Sequence, residues 1–379
     1  MQTVQVNLGE NSYPILLGEH ILSQLGVNLK RLVEEGIIGG KVLLVTNPTV
    51  NKLFGQPVIQ GLQESGFTVT TVEIPDGEEY KTQETAALVY DVAFDAQLDR
   101  RSVVVAMGGG VVGDLAGFVA ATYMRGVNLV QVPTTLLAQV DSSVGGKVAV
   151  NHPKGKNIIG AFYQPKLVFI DIATLQSLPQ REIQTGLAEV IKYGVIWDQE
   201  FFQYLVDNTE AIKSLSTQQL LHLVQTSCAI KARVVEMDEK EANLRAILNF
   251  GHTFGHALEA LTNYKVYRHG EAVAIGMVSA SRVAVAMGLM KPSARDAIEG
   301  LLKTFGLPTS FRDLQVEDIM EKMLYDKKAQ AGRVNFIIPE AIGQVRITSE
   351  VPPEIIRQVL KEQCLRNGIK GQSPAISCK

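Results

Sequence analysis

Short, nearly continuous apolar runs alternate with helix-length amphipathic stretches through the first 178 residues, and this alternation restricts the fold more than any other feature of the chain. KVLLVTN (41–47), FTVTTVEIP (67–75), SVVVAM (102–107), VNLVQVP (127–133) and KLVFID (166–171) read as strands. Runs with so few polar interruptions are expected for strands covered on both faces. Between them, TQETAALVYDVAFDAQ (82–97) has helical spacing. Strand–helix alternation predicts a largely parallel α/β sheet, with MQTVQVNL and YPILLG as a hairpin on its edge. From Glu182 to about Arg366 the periodicity is helical, apart from a β-like patch at 333–339 and QVRIT. The expected boundary is near residue 178, and the tail from Gly371 is expected to fray.

Three segments of the first half carry ligand chemistry. In SVVVAMGGGVVGDLAG a strand runs into Gly108, Gly110 and Gly113, which satisfy GxGxxG. Such glycines let backbone N–H groups approach a pyrophosphate at a helix N-terminus. The acid expected about 20 residues on is missing, and Asn128 and Gln131 lie there instead, so a tight structural turn explains the text as well. Asp114 is either a dipole partner of that helix or a ligand contact. PDGEEYKT puts Asp76, Glu78 and Lys81 just after a strand, where open α/β sheets place ligand contacts; an acidic helix entry is the alternative. Residues 131–160 gather Thr134, Thr135, Asp141, Ser142, Ser143, Lys147, Lys156 and Asn157 in an otherwise apolar, Gly-rich stretch. No Walker loop is present, and Lys147 and Lys156 beside glycine bends favour an anion site over a solvated loop.

The second half holds the metal chemistry. Of six histidines, His252, His256 and His269 fall together, the first two at i and i+4 on one helix face. With Glu189 in GLAEVIKYG they offer a His/carboxylate set suited to zinc with one position open. Position 253 is Thr, so HTFGH is not the HExxH of metalloproteases, and spacing does not decide which of His252 and His256 ligates. Lys192, Lys231, Arg245, Asn249, Lys327 and Lys328 recur beside these groups. Because 36 Lys and Arg stand against 39 Asp and Glu, there is no basic field for nucleic acid. Their grouping suggests instead a dianionic substrate held near a metal. Three cysteines without a CxxC pair argue for a reducing compartment. The amino terminus lacks a secretory pattern, and the apolar stretch 272–290 contains Arg282, so a buried helix is expected rather than a membrane span. A cytoplasmic protein is the expectation.

GGGVVGDLAGFVAATYMRG, PTTLLAQVDSSVGGKVAVNHPKGKN, GLAEVIKYG, NFGHTFGHALE and HGEAVAIGM, in that order, resemble the 3-dehydroquinate synthase family from the opening hairpin to about residue 365. The resemblance implies an α/β Rossmann-like nucleotide-binding domain (1–178), then a mostly α-helical metal- and substrate-binding domain (179–370), usually as a homodimer. It implies an NAD- and zinc-dependent lyase, cobalt being an alternative metal, acting on a sugar phosphate in the shikimate pathway. By resemblance the metal ligands are Glu189, His252 and His269, with His256 left for proton handling. NAD contacts fall on Asp76, Gly77, Glu78, Glu79, Tyr80 and Lys81, and on Gly110, Val111, Val112, Gly113 and Asp114. Thr134, Thr135, Lys147 and Lys156 follow, then Thr174, Leu175, Gln176 and Ser177. Substrate contacts fall on Arg125, Asp141, Lys147, Asn157, Lys192, Lys231, Arg245, Asn249, His256 and Lys327. Rival readings are a sister cyclase using another sugar phosphate, a metal-dependent polyol dehydrogenase, and a non-catalytic nucleotide-binding protein.

Overall fold

The structure, a computed structural model, describes residues 1–328 and 335–365, with side chains through Met323 and again from Asn335. The chain forms two compact units, Met1–Leu248 and Asn249–Lys379. The change of texture expected near residue 178 is where the last sheet strand ends at Asp171 and the helix Gln180–Ile196 begins. That point lies inside the first unit; the compact units divide 70 residues later, at Leu248 and Asn249.

In the first unit the strands are β1 (Gln2–Val6), β2 (Tyr13–Gly18), β3 (Lys41–Thr46), β4 (Thr68–Glu73), β5 (Val103–Gly108), β6 (Asn128–Pro133), β7 (Lys147–His152), β8 (Gly155–Phe162) and β9 (Leu167–Asp171). Seven of them make one sheet in the order β1-β2-β9-β6-β5-β3-β4, parallel except for the β1–β2 edge hairpin. Successive side chains point to opposite faces. Val42, Leu44, Val103, Val105, Val130 and Val132 pack against Leu25, Leu29, Val58 and Leu62 on one side. Leu43, Val45, Val104, Ala106 and Leu129 pack against Ala86, Val89, Leu115 and Val119 on the other. Both faces are covered, which is why the strands read as unbroken apolar runs. Each such side chain contributes about 1.5–3 kcal/mol on burial. After β4 the chain returns past β3 to β5 and continues to β6 and β9, so the order reverses between β3 and β5. Ligands of open α/β sheets sit outside the strands' carboxyl ends at such a reversal.

The segment 145–162, read from sequence as glycine bends carrying lysines, is instead the antiparallel hairpin β7–β8. Bends lie at its entry, where Gly145 and Gly146 have φ of 93° and 70°, and at the 153–154 turn that joins the strands just before Gly155.

The second unit contains helices His252–Leu261, His269–Ala286, Pro292–Thr304, Val316–Lys328 and Pro353–Gln363, with a hairpin of β10 (Phe336–Ala341) and β11 (Gln344–Thr348). Residues 333–334 of the expected late strand, and the tail expected to fray, lie outside the described residues. The helix His269–Ala286 is buried along most of its length, as the small residues and Arg282 led one to expect. Among the described residues no helix is long and apolar enough to cross a membrane.

Candidate active site

Loops at the carboxyl ends of β4, β5 and β6 gather the candidate ligand contacts of the first unit. β5 ends at Gly108, and the helix Gly110–Thr122 starts two residues later with Gly109 as its cap. A Cβ at Gly108 would press on Val112 at 2.8 Å, and one at Gly113 would meet Gln131 Oε1 at 2.9 Å. Gln131, which stands near where a ribose-binding acid was sought, is buried and donates from Nε2 to the Gly113 carbonyl at 3.2 Å. It braces the turn. Asp114, the fifth residue of the helix, accepts from Lys81 Nζ at 2.7 Å. Burial depresses Lys81, but Asp114 and Glu78 outweigh it and hold the ammonium above its ordinary value. Glu78 Oε1 also lies 3.5 Å from Lys156 and accepts from Asn151 Nδ2 at 2.9 Å. The Asn151 N–H donates to the Lys81 carbonyl at 2.7 Å, and Asn157 N–H to Asn151 Oδ1 at 2.9 Å. Three segments separate in sequence thus meet at 78–81. Thr135 caps Ala138 N–H, and Thr134 is buried. Past β9 the Thr174 hydroxyl donates to the Asp171 carbonyl at 2.7 Å and accepts from Gln139 Nε2 at 3.1 Å. Gln176 and Ser177 side chains likewise donate to backbone carbonyls, and Leu175 is buried, so a ligand here meets peptide groups.

A cationic cluster lies deeper in the same unit. Lys192 is 1% exposed, Lys231 6% and Arg245 1%. Lys192 pairs with Glu189 one helical turn earlier, and Glu189 is fully buried. Lys231 Nζ donates to both the carbonyl and Oδ1 of Asp141 at 2.6 Å. Arg245 donates to the carbonyls of Gly145 at 2.9 Å and Glu239 at 2.5 Å, with its guanidinium over the Phe162 ring. Burial pushes Lys231 and Arg245 below their ordinary values, with Asp141 opposing in each case. Burial would raise Asp141, but Lys231 and Lys192 outweigh it and hold the carboxyl far below the usual range. Lys147 pairs with Glu241, a residue the sequence reading passed over because it sits in an irregular loop at φ 59°.

The second unit brings the histidines together through close helix packing. Gly251 has φ 82°, and a Cβ there would meet the Val273 carbonyl at 2.7 Å. A Cβ at Gly276 would fall inside the Gly251 carbonyl, and one at Gly255 would meet the Ala272 backbone at 3.1 Å. Without side chains at these positions the helices His252–Leu261 and His269–Ala286 approach closely. The His252 ring lies 5.3 Å from His256 and 5.2 Å from His269, and His256 lies 6.2 Å from His269. His269 Nδ1 is 3.4 Å from Glu259, and one donor atom each of His256, Glu259 and His269 lie within 4.8 Å of one another. Glu259, three residues past His256 on the same helix, is a donor that helical spacing alone would have exposed. Imidazoles with a carboxylate form a donor set zinc and cobalt accept.

Arg125 stands apart from the other expected contacts of the first unit. Arg125 is exposed at φ 68°, just before the amino end of β6 and therefore at the opposite end of the sheet from the loops above. Asn249 is exposed where the second unit begins. Lys327 and Lys328 end a helix, and their side chains lie outside the described residues.

Family models described as 3-dehydroquinate synthase N-terminal and C-terminal match residues 71–185 and 186–329. A 3-dehydroquinate synthase of Pelotomaculum thermopropionicum is 56% identical over 95% of this chain and 96% of its own, and that of Desulforamulus reducens 54% identical over 96% and 100%. Among solved structures, a 2-deoxy-scyllo-inosose synthase complexed with carbaglucose-6-phosphate, NAD+ and Co2+ superposes with a TM-score of 0.86 at 27% identity, covering 96% of this chain and 100% of its own.

Proposed function

The chain belongs to the 3-dehydroquinate synthase family, and we propose that it is a lyase converting 3-deoxy-D-arabino-heptulosonate 7-phosphate into 3-dehydroquinate and inorganic phosphate in the shikimate pathway. The observation that carries this reading is the buried group Lys192, Lys231 and Arg245 in a chain of net charge −3. Glu189 and Asp141 meet two of the three cations and Arg245 donates to carbonyls, so the group keeps a net positive charge that the substrate's carboxylate and phosphate would balance. A polyol dehydrogenase has no comparable demand.

When bound, NAD supplies a reversible hydride acceptor and the metal, zinc in our reading with cobalt as an alternative, polarises substrate hydroxyls as a Lewis acid. We assign Glu189, His252 and His269 as ligands and His256 to proton handling. Asp76 to Lys81, the Gly108–Asp114 turn and Lys156 take the dinucleotide, whose phosphates need the close backbone approach those glycines allow. Lys192, Lys231 and Arg245 grip the substrate's anionic groups and stabilise charge growing on the departing phosphate. Arg125, at the far end of the sheet, would serve only the site of a second copy, which fits the proposed homodimer. A cytoplasmic location is part of the same proposal.

Phosphate release is the test, with metal-replete protein, the heptulosonate phosphate and NAD+ below the substrate concentration. Phosphate beyond the NAD+ supplied, with no NADH accumulating, is expected. No phosphate from this substrate sinks the reading; release from sedoheptulose 7-phosphate or glucose 6-phosphate instead identifies a sister cyclase, and NADH formed from glycerol a dehydrogenase.

A further inference from the structure

Asp141 sits on a π-helical turn, Ala138–Ser142, in which the Ser143 N–H reaches back to the Ala138 carbonyl at 3.2 Å. Widened turns of this kind interrupt the regular helical ladder and recur at functional sites. Three successive carbonyls of this turn are each taken by a side chain. Cys228 Sγ donates to the Gln139 carbonyl at 3.2 Å, Tyr193 Oη to that of Val140 at 3.0 Å, and Lys231 Nζ to that of Asp141 at 2.6 Å. Tyr193 comes from the helix Gln180–Ile196, and Cys228 and Lys231 from Thr217–Met237. The turn is therefore propped from two helices.

Tyr193 differs from the other two props. Its ring is fully buried, and its single hydroxyl hydrogen has two acceptors at 3.0 Å, the Val140 carbonyl and Asp141 Oδ1. Phenylalanine would fill the same space but would leave the Val140 carbonyl and Asp141 Oδ1 without this donor. Burial, reinforced by Asp141 and Glu189, holds the phenol well above its usual value, so it remains a donor. If the Asp141 carboxylate turns away, the same hydrogen stays on the Val140 carbonyl, and no buried polar group is stranded.

We propose that Tyr193 is a positioning residue for Asp141: beside the Lys231 ammonium on the same oxygen, the shared hydrogen helps to set the resting direction of the carboxylate and lets it turn to the substrate. This rests on the functional reading above, since Asp141 is a substrate contact only there. The test is steady-state phosphate release by wild type, Tyr193→Phe, Asp141→Ala and the double variant, with melting temperature and NAD affinity measured for each. Tyr193→Phe is expected to raise KM for the heptulosonate phosphate about tenfold with kcat changed less than about threefold and NAD affinity unchanged. That rise should vanish in the Asp141→Ala background, which leaves the tyrosine hydrogen no side-chain acceptor at 141, as it must if one residue acts through the other. A lowered melting temperature with unchanged KM, or losses that add in the double variant, overturns the inference while leaving the functional reading intact. No phosphate from the wild type overturns both. Should Tyr193→Phe fail to fold, Cys228→Ala removes the neighbouring prop. It is expected to raise KM about twofold to threefold, again only while Asp141 is present, and an unchanged KM overturns the inference.

Discussion

Lys81 is 3% exposed, yet it keeps its charge because Asp114 lies at 2.7 Å and Glu78 at 3.7 Å. Its folded-state value is raised, so the stability it contributes is complete below the ordinary lysine range and is lost as pH climbs through the raised value. Breaking a buried pair costs about 3–5 kcal/mol; the Asp114 side chain is 19% exposed, which reduces the expectation for Lys81→Met to about 2 kcal/mol. Denaturant unfolding at pH 7 measures it, and NAD affinity should fall alongside. Asp141 has the opposite sign. Its depressed value means that its contribution is present above the usual carboxylate range and is lost only as pH falls through the lowered value. Acid unfolding of Asp141→Asn should therefore show less proton uptake than that of the wild type. Of the histidines, His256→Ala is expected to retain metal and slow turnover about 10²–10⁴-fold. His269→Ala and His252→Ala should lose metal by elemental analysis; metal lost from His256→Ala and kept in His252→Ala would assign the ion to His256, Glu259 and His269 instead. The histidine cluster was legible because i, i+4 spacing fixes a helix face. Glu241 was not, because a loop has no period to read.

At the scale of elements, legibility followed burial. β3, β5 and β9 are apolar on both faces, and their sequence runs locate them to within about a residue. β7–β8 escaped because its second strand, Gly155–Phe162, is largely exposed and rich in residues that also occur in loops. The π-turn at Ala138–Ser142 has no sequence signature of its own; its cause lies in the donors of two helices far along the chain. The glycines of the histidine helices were visible, but not the carbonyls they face. Gly276→Ala forces a methyl into the Gly251 carbonyl and is expected to cost about 3 kcal/mol or more. It should also loosen metal binding, although residue 276 is itself no ligand. Gly300→Ala, at a helical site with nothing within 4 Å, should be neutral or slightly stabilising in the same melting experiment.

For the whole molecule, the bulk numbers exclude more than they assign. A net charge of −3 rules out a polyanion-binding field, while the cations that matter are hidden among 36 Lys and Arg and emerge only from their burial. The ordered set of motifs carried the family; the extent of the first compact unit, running to Leu248, did not follow from texture because its later helices look like those of the second. Metal binding is expected to register in global stability. At free metal 100-fold above its dissociation constant, the ion should add about 2.7 kcal/mol, so chelation should lower the melting temperature and zinc or cobalt restore it. The sheet's edge has a consequence for synthesis. β2 pairs with β9, and the Asp171 carboxylate accepts from the Ile21 N–H across 150 residues of chain. At about 5–20 residues per second the ribosome needs about 8–30 s to deliver that partner. Until then the β1–β2 hairpin is a two-stranded ribbon, which in water is marginal by itself. The hairpin must therefore wait with Tyr13, Ile15 and Leu17 uncovered, which offers a co-translational chaperone apolar side chains to hold.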